Sequence, residues 1–141
     1  MPAATVSVGP VTVTYVHEDP AGSYALLEWL APPGAASPPL HVHHRTDEGF
    51  YVLSGEYRFL VDGETIDGSA GAHVLVRSGS AHTFWNAGDV PARCLIILTP
   101  PDFAPSSNAQ NVLRSGSNAE LPCASRCESS ICFASLKASF T

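Results

Sequence analysis

The sequence has 141 residues, which is enough for one domain with a buried core and leaves no need for a second. Only 14% of the residues are charged, below the roughly 25% of an average domain, and this predicts extensive burial or an oligomer interface. Residues 1–100 carry ten acids against four arginines, which accounts for the whole net charge of -6, so nucleic acid is excluded as a partner.

The cellular compartment follows from what the chain lacks. The first residues contain no cationic stretch followed by an apolar run, and no segment is long and apolar enough to span a membrane. We therefore expect a cytoplasmic protein without membrane contact, in which the four cysteines are reduced. Cys94 lies in an apolar segment and is predicted to be a buried free thiol.

Short segments separated by turn signals make up the first hundred residues. Residues 5–16 predict two strands, because apolar and hydroxyl side chains alternate on either side of Gly9-Pro10. Residues 23–31 predict a third strand, followed by a rigid proline-rich loop at 32–39. Turns are predicted at Asp62-Gly63, a strong hairpin signal, and at Asp67-Gly68. The remaining predicted strands are 50–53, 57–61, 72–76, 81–85 and 92–98.

Many short strands, with turn signals and no convincing amphipathic helix, predict an all-β sandwich or barrel. Glu28 is the only charged residue in the strand at 23–31. A carboxylate in an apolar strand is costly unless it is paired. We favour an outward-facing Glu28 beside an exposed edge, and the alternative is an inward-facing base.

A metal site is the main functional prediction. His41 and His43 are two residues apart, so in a strand their side chains leave the same face and two imidazoles converge. Glu48 follows after a short bend and adds a carboxylate oxygen. This mixed set of ligands suits first-row metals such as Fe, Mn, Ni, Cu or Zn. A second stretch, at residues 71–86, offers His82 as the fourth ligand.

Together the two stretches resemble the paired signatures of the cupin family. The residues that carry the resemblance are His41, His43, Glu48 and Gly55 in the first, and Gly71, Gly79, His82 and Asn86 in the second. The resemblance covers about residues 22–100. The 15 residues between Gly55 and Gly71 match the spacing of small single-domain members. Arg77 stands where the family usually has proline. The glycine before the first signature is Gly34, seven positions ahead of the first histidine, and Pro39 lies nearer.

The resemblance implies a double-stranded β-helix, or jelly-roll barrel, in residues 1–104. It implies one divalent transition metal per chain, held by His41, His43, Glu48 and His82. Iron is the metal that we expect first, with Mn, Ni, Cu and Zn as alternatives. The competing interpretation is the same fold with a vestigial site.

The expected ligand set leaves two positions open in an octahedral shell, one for a substrate oxygen and one for dioxygen or water. Glu48 has a second predicted role as the catalytic general base, which takes a proton from a substrate hydroxyl. Inward-facing aromatic residues are predicted to bind a planar substrate, unless they are simply barrel core. These residues are Phe50, Tyr57, Phe59 and Phe84.

Other polar residues receive smaller roles. His44 follows a ligand directly and is therefore predicted to point away from the metal, while His17 and His73 are predicted to be structural or exposed. Asn86 is expected to hydrogen-bond at a strand end. Arg77 is expected to be exposed to solvent, and the alternative is a contact with an anionic substrate.

Residues 105–141 form a tail of different character, with 9 serines among the last 41 residues and no sustained periodicity. The terminal helix that small cupins often carry leaves no signature here. The tail cysteines, Cys123, Cys127 and Cys132, lack the paired spacing or nearby histidine of a zinc site, so reduced thiols are favoured. The tail is expected to be largely disordered or to pack on a neighbouring subunit through Ile131, Phe133, Leu136 and Phe140.

Three functions compete. The leading hypothesis is a small metal-dependent enzyme, similar to the quercetinase-like dioxygenases, that acts on a phenolic or enolic small molecule. The second is a non-redox isomerase, cyclase or dehydratase at the same site, with Glu48 or Glu28 as base. The third is a barrel that binds a small ligand without catalysis, because one fold hosts many functions. The resemblance and the low charge also predict a homodimer.

Overall fold

Eleven strands and no helix make up the part of the chain that the structure describes. This structure is a computed structural model, and it describes residues 4–101 and the backbone of 131–133. In chain order the strands are β1 Ala4–Val8, β2 Val11–Glu18, β3 Ala25–Ala31, β4 His41–His43, β5 Asp47–Ser54, β6 Glu56–Val61, β7 Glu64–Ser69, β8 His73–Val76, β9 His82–Asn86, β10 Ala92–Thr99 and β11 Ile131–Phe133. Over these ranges no helix has the length and apolar character needed to cross a membrane.

The strands form two antiparallel sheets with a shared core between them. Sheet A has six strands in the order β1-β2-β3-β10-β5-β8, and sheet B has five in the order β11-β4-β9-β6-β7. Several neighbours are distant in sequence, such as β4 and β9 in sheet B or β5 and β10 in sheet A. The result is the predicted all-β jelly roll.

Strand β10 illustrates why these segments are strands. Its side chains alternate between the core and the outer surface, and Ala92, Cys94, Ile96 and Leu98 are the buried set. This period of two places one whole apolar face against sheet B. Cys94 is a buried free thiol, as predicted, and its burial raises the pKa of the thiol to about 12.

Aromatic rings join the two sheets. Phe50 of sheet A lies 5.1 Å from Phe59 and 4.8 Å from Phe84 of sheet B, measured between ring centroids. Tyr57 is also buried, and its hydroxyl donates a hydrogen bond of 2.8 Å to the carbonyl of Ala92 in the opposite sheet. Each aromatic pair contributes about 0.5–1.5 kcal/mol beyond the burial of its area. These contacts hold the two faces of the barrel at a fixed separation.

Glu28 lies on the outer face of sheet A, as favoured above, but the predicted exposed edge is wrong, because β3 lies between β2 and β10. Its carboxylate accepts two hydrogen bonds from the guanidinium of Arg93 on the neighbouring strand, at 3.2 and 2.9 Å. The adjacent residue Leu27 faces the core instead. The alternative that Glu28 acts as an inward-facing base is therefore wrong, because strand alternation turns it away from the barrel interior.

The predicted turn at Asp67-Gly68 is wrong, because β7 continues to Ser69. Asp67 lies opposite Arg58 in the β6–β7 register and accepts a 2.6 Å hydrogen bond from its guanidinium. Gly68 is buried against Phe59, and a Cβ at this position would lie 3.1 Å from the phenylalanine ring. Cross-strand pairing and close packing thus keep extended a dipeptide whose local preference is for a turn.

Part of the predicted tail adds a strand to sheet B. The backbone of Ile131–Phe133 pairs with His41–His43, so these three residues belong to the same sheet as the predicted metal ligands. Cys123, Cys127, Leu136 and Phe140 lie outside the described residues. The boundary at residue 104 therefore stays a prediction.

Gly55 provides a test of close packing at the end of β5, where the chain passes from sheet A to sheet B. Its φ is +75°, and an added Cβ would lie 2.6 Å from Cβ and 2.8 Å from Cα of Ala92. We expect Gly55→Ala to lower the free energy of unfolding by about 2–4 kcal/mol, from backbone strain and overpacking together. Urea unfolding measures this loss.

Gly63→Ala is the matched control. Gly63 has a similar φ of +84° but no atom within 4 Å of an added Cβ. Its substitution should therefore cost only the backbone strain, about 1 kcal/mol. Equal losses for the two variants would show that the clash with Ala92 has no effect.

Candidate metal centre

Four side chains from the two sheets converge between them. His41 and His43 come from β4 and His82 from β9, and the register places His41 directly opposite His82. Glu48 comes from β5 of sheet A. One potential ligand atom from each residue lies within 4.8 Å of the others. The sheet order thus unites two stretches that are about forty residues apart in sequence.

The carboxylate of Glu48 is at the centre of the group. Its Oε2 lies 2.8 Å from Nε2 of His82 and 3.3 Å from Nε2 of His43. The side chains of all three residues are less than 10% exposed. The imidazole rings of His41 and His82 are 4.3 Å apart between centroids. These distances leave the three rings and the carboxylate facing one common point.

Backbone carbonyls orient two of the histidines. Nδ1 of His41 donates to the carbonyl of Pro39 at 2.7 Å, and Nδ1 of His82 donates to the carbonyl of Ser80 at 3.0 Å. A carbonyl oxygen only accepts hydrogen bonds, so Nδ1 carries the proton in both rings. Nε2 of each ring is thereby directed to the centre, as is typical of metal-binding histidines.

The buried carboxylate requires a positive charge beside it. Both nitrogens of His82 face acceptors, Ser80 on one side and Glu48 on the other. A neutral imidazole donates only one hydrogen bond, so this arrangement needs either a protonated ring or a cation at Nε2. Burial lowers the pKa of His82, but the hydrogen bond to Glu48 outweighs it and leaves the pKa raised.

The pKa shifts of His41 and Glu48 place both side chains in the protonation state that binds a metal at neutral pH. Burial, followed by the charge of His82, lowers the pKa of His41 to about 4, so this ring is neutral. Burial raises the pKa of Glu48, but hydrogen bonds from His43 and His82 outweigh it and lower the pKa to about 2. The carboxylate therefore remains ionised throughout the physiological range.

These four residues fit a divalent first-row metal. Three imidazole nitrogens and one carboxylate oxygen are a suitable donor set for Fe, Mn, Ni, Cu or Zn. Nδ1 of His43 is, over the described residues, the one buried side-chain nitrogen or oxygen without a hydrogen-bond partner. An unpaired buried polar atom costs free energy. Because Nε2 of His43 is the nitrogen beside Glu48, Nδ1 is the outer nitrogen of this ring, and His43 lacks the carbonyl contact that orients His41 and His82.

The predicted smaller roles are confirmed for several residues. His44, His17 and His73 are exposed and do not belong to the cluster. Asn86 is buried, and its side-chain NH2 group donates to the carbonyls of Ala31 and Val90. Arg77 is exposed, as expected, and pairs with Asp47 at 2.8 Å.

The predicted substrate-binding residues lie together but deep in the core. Phe50, Tyr57, Phe59 and Phe84 are 0–3% exposed, and their rings contact one another. Such exposure offers almost no accessible surface to a substrate in this structure. Their contact with substrate stays a prediction.

Several residues that position the ligands have no counterpart in the sequence predictions. Asp62 holds Ala81, which precedes His82, through a side-chain bond of 2.9 Å and a backbone bond of 2.8 Å. Thr83 donates to the carbonyl of Pro38 at 2.6 Å. The available signal was the hairpin dipeptide Asp62-Gly63, which located the turn but not its contact with the chain before His82.

The fold and site together define a class of protein: a jelly-roll barrel with a buried three-histidine, one-glutamate centre. A family model described as Cupin domain matches residues 27–98. The chain therefore belongs to the cupin family. The match begins in β3 and ends in β10, and it includes all four candidate ligands.

Individual relatives are more distant. The chain is 29% identical over 77 residues to an uncharacterized protein of Methanocaldococcus jannaschii. The match covers 55% of this chain and 61% of that relative. A proposed sugar phosphate isomerase of Acidithiobacillus ferrooxidans is 26% identical, with a TM-score of 0.52 over 57% of this chain and 52% of the other. The chain thus spans little more than half the length of either protein.

A predicted oxalate decarboxylase of Thermotoga maritima has a similar fold. Its TM-score is 0.62 at 24% identity, and the match covers 70% of this chain and 92% of the other. At this level of identity the likeness supports the fold alone. These comparisons establish the cupin fold and leave the reaction open.

The ligand assignment predicts which histidines bind metal. We expect His82→Ala and His41→Ala to lose the metal that the purified wild-type protein retains, because each removes a nitrogen donor from the cluster. His44→Ala should retain it, because His44 is exposed and outside the cluster. Elemental mass spectrometry of protein prepared without chelator gives the metal content. Equal metal in the His82→Ala and His44→Ala proteins would contradict the assignment.

Proposed function

We propose that the protein is a metal-dependent cupin enzyme that oxidises a phenolic or enolic small molecule with dioxygen. The observation that carries the proposal is a buried three-histidine, one-glutamate centre without a second buried acid or any buried lysine or arginine in residues 4–101. When bound there, a divalent metal such as iron would supply Lewis acidity and a route for electrons between substrate and dioxygen.

The surroundings of the centre support a substrate without multiple charges. Glu48 lies opposite Val76 and Leu98 in the strand register, and His82 lies opposite Val61. These neighbours are aliphatic. Apart from the cluster itself, the described residues include only two buried polar side chains, Thr46 and Asn86. An apolar site with few polar groups suits a planar organic molecule that is anchored through one or two oxygens.

Glu48 is the proposed catalytic base. It is ionised at neutral pH and lies beside Nε2 of His82 and His43. A substrate hydroxyl placed at the centre would transfer its proton to a Glu48 oxygen, while the histidines keep their orientation through their hydrogen bonds. With Glu28 on the outer face, the described interior offers no other carboxylate for this step.

The second candidate is a non-redox reaction at the same centre, such as an isomerisation. The likeness to a proposed sugar phosphate isomerase favours it. A phosphorylated substrate normally needs a cationic contact. Three of the four arginines in residues 4–101 are already paired with carboxylates: Arg58, Arg77 and Arg93. A non-redox reaction on an uncharged substrate is therefore the stronger form of this alternative, and a ligand-binding barrel without catalysis is a third.

Oxygen dependence separates the candidates. We expect the iron-reconstituted protein to consume dioxygen in proportion to a flavonol or enol substrate, and to be inactive under nitrogen. Glu48→Gln should lower kcat per bound metal by about 100-fold or more, because the proton acceptor is lost. Oxygen-electrode assays and metal analysis of the same samples provide both quantities.

Equal turnover with and without oxygen would replace the oxidation with the non-redox reaction. Ligand binding without turnover, unchanged when metal is removed, would favour a binding barrel. His44→Ala is the control, and its kcat should match that of the wild type.

We further propose that the protein acts in the cytoplasm as a homodimer, with a small-molecule substrate as its other partner. Three large apolar side chains share the outer face of sheet A and are 40–46% exposed: Tyr51, Leu75 and Ile97. Neighbouring exposed apolar residues are typical of interaction sites. A monomeric mass in sedimentation velocity experiments would contradict the dimer.

A further inference from the structure

The proline-rich loop before β4 supplies the carbonyl that orients His41. Pro38 and Pro39 have no N–H group, so this segment cannot join a sheet through its own donors. Its carbonyls are free to accept hydrogen bonds, and side chains take both. Thr83 donates to Pro38 at 2.6 Å, and Nδ1 of His41 donates to Pro39 at 2.7 Å.

Strand β4 needs this support because it is short and weakly paired on the β9 side. Its register with β9 consists of one residue pair, His41 and His82. At the other end of β4 the carbonyl of His43 accepts a backbone hydrogen bond of 2.8 Å from Gly79. The Thr83 hydroxyl adds a further contact beside the His41–His82 pair, because it binds the carbonyl of Pro38 in the segment that leads into His41.

We propose that Thr83 is a positioning residue for the metal centre: its hydroxyl fixes the Pro38-Pro39 segment, whose second carbonyl holds the His41 ring with Nδ1 protonated and Nε2 directed to the metal. Thr83 itself lies on the outer side of β9, between the inward-facing His82 and Phe84. It therefore acts without contacting the metal or the substrate. The inference rests on the metal centre of the proposed function and not on the reaction.

The test compares the wild type with Thr83→Val, Thr83→Ala and Thr83→Ser. Valine keeps the shape of threonine but replaces the hydroxyl with a methyl group. Alanine lacks the hydroxyl and adds no methyl group in its place, and serine retains the hydroxyl. Thr65→Val is the control, because Thr65 is exposed on β7, away from the ligands. Two readouts are used: Co²⁺ affinity from the visible absorption spectrum, and the His41 tautomer in the metal-free protein from long-range ¹H–¹⁵N NMR.

We expect Thr83→Val and Thr83→Ala to weaken Co²⁺ binding by about 10- to 100-fold, the usual effect of removing support for a ligand. In both variants the His41 ring should become a mixture of tautomers, while the wild type and Thr83→Ser have the proton on Nδ1. Far-UV circular dichroism should show that all variants are folded. Thr65→Val should match the wild type in both readouts.

Unchanged Co²⁺ affinity and an unchanged His41 tautomer in Thr83→Val and Thr83→Ala would overturn the inference. So would a Thr83→Ser protein that remains as impaired as the valine variant, because the effect would then be steric. If the wild type binds Co²⁺ and shows these variant effects but has no oxygen-dependent turnover, the proposed oxidation fails and the role of Thr83 stands. If the wild type binds no Co²⁺, the tautomer in the metal-free proteins still decides.

Discussion

The burial of the Glu48 carboxylate is the constraint on which the metal centre depends. An ionised carboxylate between two sheets is unfavourable unless positive charge and hydrogen bonds compensate it. Here His82 and His43 provide the contacts, at 2.8 and 3.3 Å. They compensate it fully only when a proton or a cation adds positive charge. The same need for positive charge makes this cluster suitable for holding a divalent metal.

The same constraint explains why the sheets must keep their register. Three ligands lie on sheet B and one on sheet A, so a shift of one residue in β5 would exchange Glu48 for an outward-facing neighbour. The aromatic contacts of Phe50 with Phe59 and Phe84 prevent such a shift, because they fix the two sheets relative to each other. The hydrogen bond between Tyr57 and Ala92 acts in the same direction. These buried rings thereby contribute to the site without contacting a ligand.

The sequence predicted most of the strands and the convergence of the four candidate ligands, because both leave periodic or spaced side-chain signals. Alternation located β10, and the two-residue spacing of His41 and His43 placed both on one face. It did not predict the extended Asp67-Gly68 dipeptide, whose conformation depends on a cross-strand arginine and a buried ring. Nor did it predict the carbonyls of Pro39 and Ser80, because a backbone acceptor has no residue type to recognise.

Arg77 shows how a departure from the family pattern is accommodated by a tertiary contact. Proline would restrict this turn through its own ring, whereas Arg77 restricts nothing locally. Asp47 supplies the restraint instead, since one oxygen accepts the backbone N–H of Ser78 and the other pairs with Arg77, both at 2.8 Å. The ion pair is exposed and worth little by itself, so the bond to the backbone is the stronger part of the restraint. Because Asp47 precedes Glu48, the turn before His82 is tied directly to the strand that carries the carboxylate, and the two halves of the metal centre are held together at this point.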